Sequence, residues 1–329
     1  MKRAAPLVIA LLACWQPTAP AQEVSSDICE IPVVVADYNN RLVRYLKPSD
    51  FSVRIAGEPS AISELSVDAG PKRIAIVLDS SSKVPQDEWK LQTEMAEETV
   101  SHARTGDEFF LAVSGSNSPS EAFLSSTELA ARLRGLGASR PNSPPNEQIY
   151  DALGEVARNF NPPKFGDTIF LFGHSRDSGS STSFDALRHL ILKNRLRFLA
   201  VSFEDRFAEN PQAFKPSKSV SGGFQLAPLE ALSSDTGYYF SFHAVRDLSY
   251  PGQIPLFKNF LTDLYTWISE PYRIRASVSP VQEGTTLEIS LPEMDTRKVS
   301  QRGIHFPHSM YGCTEAKPRT DDQRPTAQS

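Results

Sequence analysis

The chain has little of what several common functional classes require. Of its 329 residues only 3 are cysteine, 6 are histidine and 17 are glycine. No cysteine and histidine cluster has the spacing of a zinc site, and there is no glycine-rich phosphate loop. The formal net charge is −5 with both signs interspersed, so no basic stripe exists to neutralise phosphates. Zinc sites, phosphate loops and nucleic acid partners are therefore not expected.

Long apolar runs are also scarce, and the one at the start has the features of an export signal. Lys2 and Arg3 precede the apolar segment 4–15, and Ala19-Pro20-Ala21 supplies a small-x-small pattern before Gln22. Beyond it no stretch approaches the ~18 apolar residues of a membrane helix. We expect a cleaved signal peptide, a secreted or periplasmic protein, and no transmembrane helix in the mature chain.

The three cysteines also give information on the cellular compartment of the protein. Leu11-Leu12-Ala13-Cys14 also fits a lipoprotein signal, which would leave the protein anchored at Cys14. After cleavage by the other route only Cys29 and Cys313 remain, and an isolated pair in an oxidising compartment predicts a disulfide. The alternative is two unrelated buried thiols. We expect the bond, because both cysteines flank segments with strand patterns.

The pattern of apolar residues changes twice along the chain. Residues 29–67 predict strands, whereas beyond Gly70-Pro71 fully apolar strands such as Arg73–Leu78 alternate with helices. This alternation predicts a doubly wound, mostly parallel α/β sheet, inserted in or flanked by a small β-sandwich-like domain. The predicted divisions are a signal peptide (1–21), an N-terminal β segment (22–70), an α/β domain (71–270), a C-terminal β segment packing with the first (271–313) and a disordered tail (314–329).

The most specific motif follows the first apolar strand of the α/β domain. Asp79-Ser80-Ser81-Ser82-Lys83 comes directly after Leu78, at the carboxyl edge where open α/β sheets bind ligands. This loop, with the amphipathic helix after it, resembles the metal-ion-dependent adhesion site of von Willebrand factor A-type domains. The resemblance implies a protein-binding domain whose hydroxyl and carboxylate oxygens hold Mg²⁺ or Mn²⁺ beside an acidic ligand residue.

Other segments resemble the von Willebrand factor A-related proteins of acidobacteria. Arg41-Leu42-Val43 and the segment 46–51 look like the β segment that precedes the A-type domain in that family. Ile149-Tyr150-Asp151-Ala152-Leu153 resembles its helix start after the threonine loop, and the long helix before Pro271-Tyr272 stands where the family closes its domain. Together these segments cover roughly residues 30–290.

Carried over residue by residue, the metal site of the family is incomplete. Asp79 and Ser81 match the first two ligand positions, but Lys83 stands at the third, where a hydroxyl belongs. Glu147 stands at the threonine position and Gly173 at that of the distal aspartate. We expect a degenerate site with no cofactor, in which Lys83 pairs with Asp79 or Glu147 in place of the ion.

Two other roles remain open for these residues. Asp177, four residues past Gly173, would restore an acidic ligand if its loop folds back, and either Asp177 or Glu147 would complete the site of a metal-dependent adhesin. Alternatively, Asp79 and its serines would cap the helix that follows, since both residue types accept hydrogen bonds from free helix amides.

A hydrolase is the alternative from a different functional class. The segment 173–177, Gly-His-Ser-Arg-Asp, resembles a nucleophile elbow with Ser175 as the nucleophile, although Asp177 replaces the final glycine. Its triad partners would come from Asp205 or Asp235 and from His243, His305 or His308. We favour an exported, non-catalytic binding module whose partner is an unidentified protein.

Overall fold

A computed structural model describes residues 27–115, 122–141, 146–174, 176–203, 228–237, 240–242, 253–278, 283–292, 303–311 and 313. The predictions for the signal peptide, Cys14, Ser175, Asp205, His243 and the tail from 314 lie outside these residues.

The strands and helices alternate as the sequence pattern predicts. The strands are β1 (Asp27–Val35), β2 (Ser52–Ile55), β3 (Glu58–Ser60), β4 (Ile62–Val67), β5 (Arg73–Leu78), β6 (Glu108–Val113), β7 (Thr168–Gly173), β8 (Arg197–Ser202), β9 (Phe240–Phe242), β10 (Tyr272–Val278), β11 (Thr285–Ser290), β12 (Ile304–His305) and β13 (Ser309–Met310). The helices are α1 (Gln86–Ser101), α2 (Ser126–Ala138), α3 (Ile149–Asn159), α4 (Phe184–Lys193), α5 (Pro228–Asp235) and α6 (Gln253–Ser269). Within the described residues, no helix is long and apolar enough to span a membrane.

The centre of the molecule is a parallel sheet with the strand order β6-β5-β7-β8-β9. Every residue of β5, β7 and β8 is buried, because helices cover both faces of the sheet. On one face Ile76 packs in a cluster with residues of α1, α2 and α6, and on the other Val77 packs with residues of α3, α4 and α5. The predicted doubly wound α/β fold is therefore confirmed.

Two antiparallel sheets built from both ends of the chain flank this α/β unit. Their strand orders are β12-β1-β10-β4 and β13-β11-β2-β3. Cys29 pairs with Ala276 between β1 and β10, and Val53 pairs with Ile289 between β2 and β11. The inner faces of the sheets share one apolar core. The α/β unit is thus inserted into a small β unit.

The predicted disulfide joins Cys29 of β1 to Cys313, whose Cα atoms are 4.7 Å apart. The two cysteines are separated by 284 positions in the sequence, so the bond ties the first described strand to the last described residue.

Candidate functional site

The Asp-x-Ser loop lies where three strands of the parallel sheet end. The Asp79 amide donates to the Phe172 carbonyl at the end of β7 (3.1 Å), and the Ser114 amide after β6 donates to Leu78 of β5 (2.8 Å). Gly173 has a φ of +148°, and a Cβ there would lie 2.4 Å from that of Asp79. A side chain at position 173 would therefore displace Asp79 from the position that it holds.

The carboxylate of Asp79 is fully buried and is surrounded by donors from the protein itself. Oδ1 accepts hydrogen bonds from the Ser81 amide (2.9 Å) and from Ser114 Oγ (3.0 Å). Oδ2 lies 3.5 Å from Ser81 Oγ and 3.7 Å from His174 Nδ1. These contacts stabilise the carboxylate without an added cation, because a buried charge needs hydrogen-bond donors or a counter-charge.

The prediction that Asp79 and its serines cap a helix is wrong. Helix α1 begins at Gln86, and the residue at its N-cap position is Pro85, which supplies no side-chain hydrogen bond. Asp79 lies several residues upstream and bonds to its own loop instead.

Helix α1 supplies two buried polar side chains that the sequence analysis missed. Glu88 and Gln92 stand four positions apart on the helix face that meets the loop. Gln92 Oε1 accepts from the Asp79 amide (3.1 Å), and its Nε2 donates to Glu88 Oε1 (3.2 Å). Glu88 also lies 3.0 Å from His174 Nε2. The i, i+4 spacing of polar residues on a core-facing stripe is the signal that would have pointed to them.

The side chain of Arg140 donates hydrogen bonds to the backbone of the Asp-x-Ser loop. Its guanidinium donates to the carbonyls of Val84 (2.7 Å), Ser80 (2.8 Å) and Ser81, and it lies over the Trp89 ring at 5.6 Å. Burial lowers the pKa of Arg140, while the charges of Asp79 and Glu88 act in the opposite direction. The arginine thus fixes the loop backbone and brings positive charge near the buried acids.

Lys83 and Glu147 form an ion pair in front of the loop. Lys83 Nζ lies 2.8 Å from Glu147 Oε2 and 3.3 Å from Ser178 Oγ, and that hydroxyl donates to the same carboxylate oxygen at 2.6 Å. The Lys83 side chain is 50% exposed, whereas that of Glu147 is 3% exposed. Of the two partners predicted for Lys83, the structure therefore contains the pair with Glu147.

The pKa of Glu147 results from the opposing effects of burial and of the groups that contact its carboxylate. Burial alone would raise the pKa of this carboxyl, but hydrogen bonds from Lys83 and Ser178 and the charge of Lys83 outweigh it. The net effect is a pKa below the ordinary value for glutamate. Glu147 therefore stays ionised at neutral pH.

Asp177 is engaged at the start of α3. Its Oδ1 accepts from the Tyr150 amide (3.0 Å) and from Ser180 Oγ (2.6 Å), while Oδ2 accepts from the Ser180 amide (3.2 Å). A carboxylate is favourable at a helix N-terminus, where free amides and the helix dipole meet it. Within the described residues its hydrogen-bond partners belong to the helix start and its own loop, and neither Asp79 nor Lys83 is among them.

The residues at this edge do not fit a divalent cation. Asp79 already accepts hydrogen bonds from the protein, an ammonium stands at the third ligand position, and Glu147 is bound to it. Within the described parts of the chain, no group of three or more histidine, cysteine, aspartate or glutamate side chains is arranged to hold a metal ion.

Three of the proposed partners of a hydrolase triad, Asp235, His305 and His308, lie at the other edge of the sheet. The His308 amide donates to the Asp235 carbonyl (3.0 Å), just before β9 begins, and Asp235 Oδ2 accepts from Arg188 Nε (2.6 Å). The His305 ring packs against the Trp267 ring in a tilted arrangement, with ring centroids 4.8 Å apart. These groups stand at the amino ends of the strands, whereas Gly173 ends β7 at the carboxyl edge. Asp235, His305 and His308 are therefore at the edge opposite to the end of β7.

The strand order, the helices on both faces and the Asp-x-Ser loop at the carboxyl end of β5 form the arrangement of a von Willebrand factor A-type fold. This is the fold that the sequence resemblance implied. No protein-family model matches the chain, and no curated protein matches it. The closer resemblance to the acidobacterial proteins stays a prediction.

Several solved structures are similar to the chain. Proximal thread matrix protein 1 from the mussel byssus shares 18% identity and a TM-score of 0.46 over 65% of this chain and 50% of that one, so the chain spans half its length. A von Willebrand factor type A protein from Catenulispora acidiphila shares 10% identity and a TM-score of 0.45, covering 90% and 76% of the two chains. Manganese-loaded Plasmodium vivax TRAP protein shares 9% identity and a TM-score of 0.41, covering 73% and 82%. At these values, what this chain binds has to follow from its own residues.

Proposed function

We propose that this chain is an exported, non-catalytic binding module that holds a protein partner at the carboxyl edge of its parallel sheet without a metal ion. The observation that carries the proposal is the half-exposed ammonium of Lys83, held by the buried Glu147 in front of the Asp-x-Ser loop.

The chemistry of this ammonium indicates the kind of group that it contacts. A lysine ammonium has three protons to donate, and within the described residues Glu147 and Ser178 accept two of them. The side chain is half exposed, so a further acceptor can approach the ammonium from solvent. A carboxylate from a partner is the complementary group, and a positive charge anchored by a buried acid does not have to be ordered on binding.

Export is part of the proposal and rests on two features. The first is the basic, apolar and small-residue succession over residues 1–21, and the second is the disulfide between Cys29 and Cys313. Disulfides persist in secreted and periplasmic proteins and are rare in the cytosol. Anchoring through a lipidated Cys14 is the alternative, and it leaves the binding edge unchanged.

A pull-down from envelope and culture-supernatant fractions tests the function. The mature protein is expected to retain the same partner in EDTA as in Mg²⁺, because the charge that meets the ligand is covalently part of the chain. Lys83→Ala is expected to lose that partner. Lys90→Ala is the matched control, since Lys90 is also an exposed lysine but pairs with Glu94 on the outer face of α1. Release by EDTA, or retention by Lys83→Ala, would contradict the proposal.

A further inference from the structure

The segment 303–311 connects the β unit to the α/β unit at the amino-terminal edge of the parallel sheet. It contains β12, which pairs with β1 at two positions, and β13, which pairs with β11 at two. By comparison, β1 pairs with β10 at seven positions. Elements with few backbone pairs open at a lower free energy than the core of a protein. The segment is therefore able to open while the rest of the fold stays closed.

On the side of the α/β unit, the segment contacts the ends of two helices. The His305 ring packs against the Trp267 ring of α6, with ring centroids 4.8 Å apart. The His308 amide donates to the carbonyl of Asp235 at the end of α5 (3.0 Å). Release of the segment would break these contacts and expose the indole of Trp267.

The disulfide keeps the carboxyl-terminal end of the segment attached to the β unit. Cys313 follows the segment and is bonded to Cys29 in β1. A segment that leaves the two helices therefore stays close to its docking place, so its release is a reversible and local event.

The surroundings of the His305 ring favour its neutral form. β1 places Val34 opposite His305 and α6 places Trp267 against it, and neither side chain carries a charge. Burial lowers the pKa of His305 from 6.5 to about 4, and the nearby His308 acts in the same direction. His305 therefore binds a proton more readily when its ring is in water, which requires release of the segment.

The charged and titratable groups that meet the segment from α4 and α5 contact one another or the segment itself. Asp235 Oδ2 accepts from Arg188 Nε at 2.6 Å, and Arg188 is also hydrogen-bonded to the side chain of Tyr311. The His189 ring packs edge-on against the Tyr311 ring, with centroids 6.3 Å apart. The acid of this group, Asp235, is thus engaged by an arginine.

We propose that the segment 303–311 is an acid-released clamp, in which protonation of His305 detaches the segment from α5 and α6 while both units stay folded and Cys313 stays bonded. Histidine suits such a device because its charge changes within the pH range that proteins commonly meet. The clamp lies at the edge opposite to Lys83 and does not depend on the binding role proposed above.

Site-resolved hydrogen exchange of the mature, disulfide-bonded protein at pH 7 and pH 5 tests the proposal. The opening constant of an amide, corrected for its intrinsic exchange rate, measures how often its hydrogen bond breaks. Four amides report on the segment because their hydrogen bonds join it to its neighbours: those of Ala36, Gly284, Leu287 and His308. The Ile76 amide in the buried strand β5 reports on unfolding of the whole α/β unit.

The opening constants of the four segment amides are expected to rise by at least about tenfold from pH 7 to pH 5. At pH 5 a released His305 is mostly protonated, whereas a docked one is mostly neutral. At both pH values these constants are expected to exceed that of the Ile76 amide by at least about tenfold, because the segment opens without the core.

Two variants and one control separate the role of His305 from other effects of acid. His305→Phe keeps a ring against Trp267, and His305→Gln keeps a polar side chain, and both are expected to lack the rise because neither side chain titrates. His189→Gln removes an exposed imidazole from α4 and is expected to keep it.

Equal opening constants of the segment amides at pH 7 and pH 5 in the wild-type protein would overturn the proposal. So would a rise of the same size in His305→Phe and His305→Gln. Opening constants of the segment amides equal to that of the Ile76 amide would also overturn it, because the segment would then open only when the whole protein unfolds.

Discussion

Acidification is expected to weaken the fold through His305. The imidazole belongs to β12, which pairs with Val34 and Val35 of β1, and it packs in a tilted arrangement against Trp267 of α6, with ring centroids 4.8 Å apart. Burial lowers the pKa of His305 from 6.5 to about 4, and the nearby His308 acts in the same direction. The folded protein therefore resists protonation at this position.

The size and sign of the effect follow from the two pKa values. Below pH 6.5 the unfolded chain takes up a proton on His305 that the folded chain does not bind until about pH 4. Each pH unit in that interval lowers the free energy of unfolding by ~1.4 kcal/mol, so the whole interval lowers it by about 3 kcal/mol. The stability is complete above pH 6.5 and is lost progressively as the pH falls towards about 4.

Urea unfolding at a series of pH values between neutral and acidic measures this loss. In His305→Phe, which keeps an aromatic ring against Trp267, the dependence on pH is expected to be shallower than in the wild-type protein over this interval. His189→Gln is the control, because His189 is exposed on α4 and its removal should leave the slope unchanged. Equal slopes for the wild-type protein and His305→Phe would refute the reasoning.

Three further outcomes follow from the same structure. Gly173→Ala is expected to lower the free energy of unfolding by more than about 2 kcal/mol, because the new Cβ meets Asp79. The control Gly135→Ala in α2, where a Cβ meets nothing within 4 Å, should raise the free energy of unfolding slightly. Urea unfolding of the two variants measures both effects. Arg140→Met should lower the free energy of unfolding by about 2 kcal/mol in the same assay, because three hydrogen bonds to carbonyls are lost, and it should increase protease cleavage in residues 80–84. The control Arg134→Met, whose exposed side chain pairs with Glu97, should lower it by less than about 1 kcal/mol. Replacing Cys29 and Cys313 by serine should lower the free energy of unfolding by up to about 5 kcal/mol, because the bond closes a loop of 284 positions; an unfolding midpoint insensitive to reductant would contradict this.

The fold could be predicted because its signals are local. The fully apolar segments correspond to β5, β7 and β8, in which every residue is buried. The alternating segments correspond to strands of the β unit. The disulfide followed from the count of cysteines left after cleavage.

The site could be predicted only where the resemblance to the family motif aligns residues of this chain with the family's ligand positions. That register placed Lys83 near Glu147, and the structure contains the pair. It gave no indication of Gln92, Arg140 or His174, because these residues come from separate elements and meet Asp79 and its loop only after the sheet and helices have packed. The predicted helix cap was wrong because Pro85 separates the loop from α1.

We propose that Lys83 and the donors around Asp79 replace a metal ion at the carboxyl edge of the sheet. Calorimetric titration of the mature protein with Mn²⁺ and Mg²⁺ at neutral pH tests it most directly. No saturable heat is expected from either ion. Micromolar binding that disappears in Asp79→Ala would contradict it.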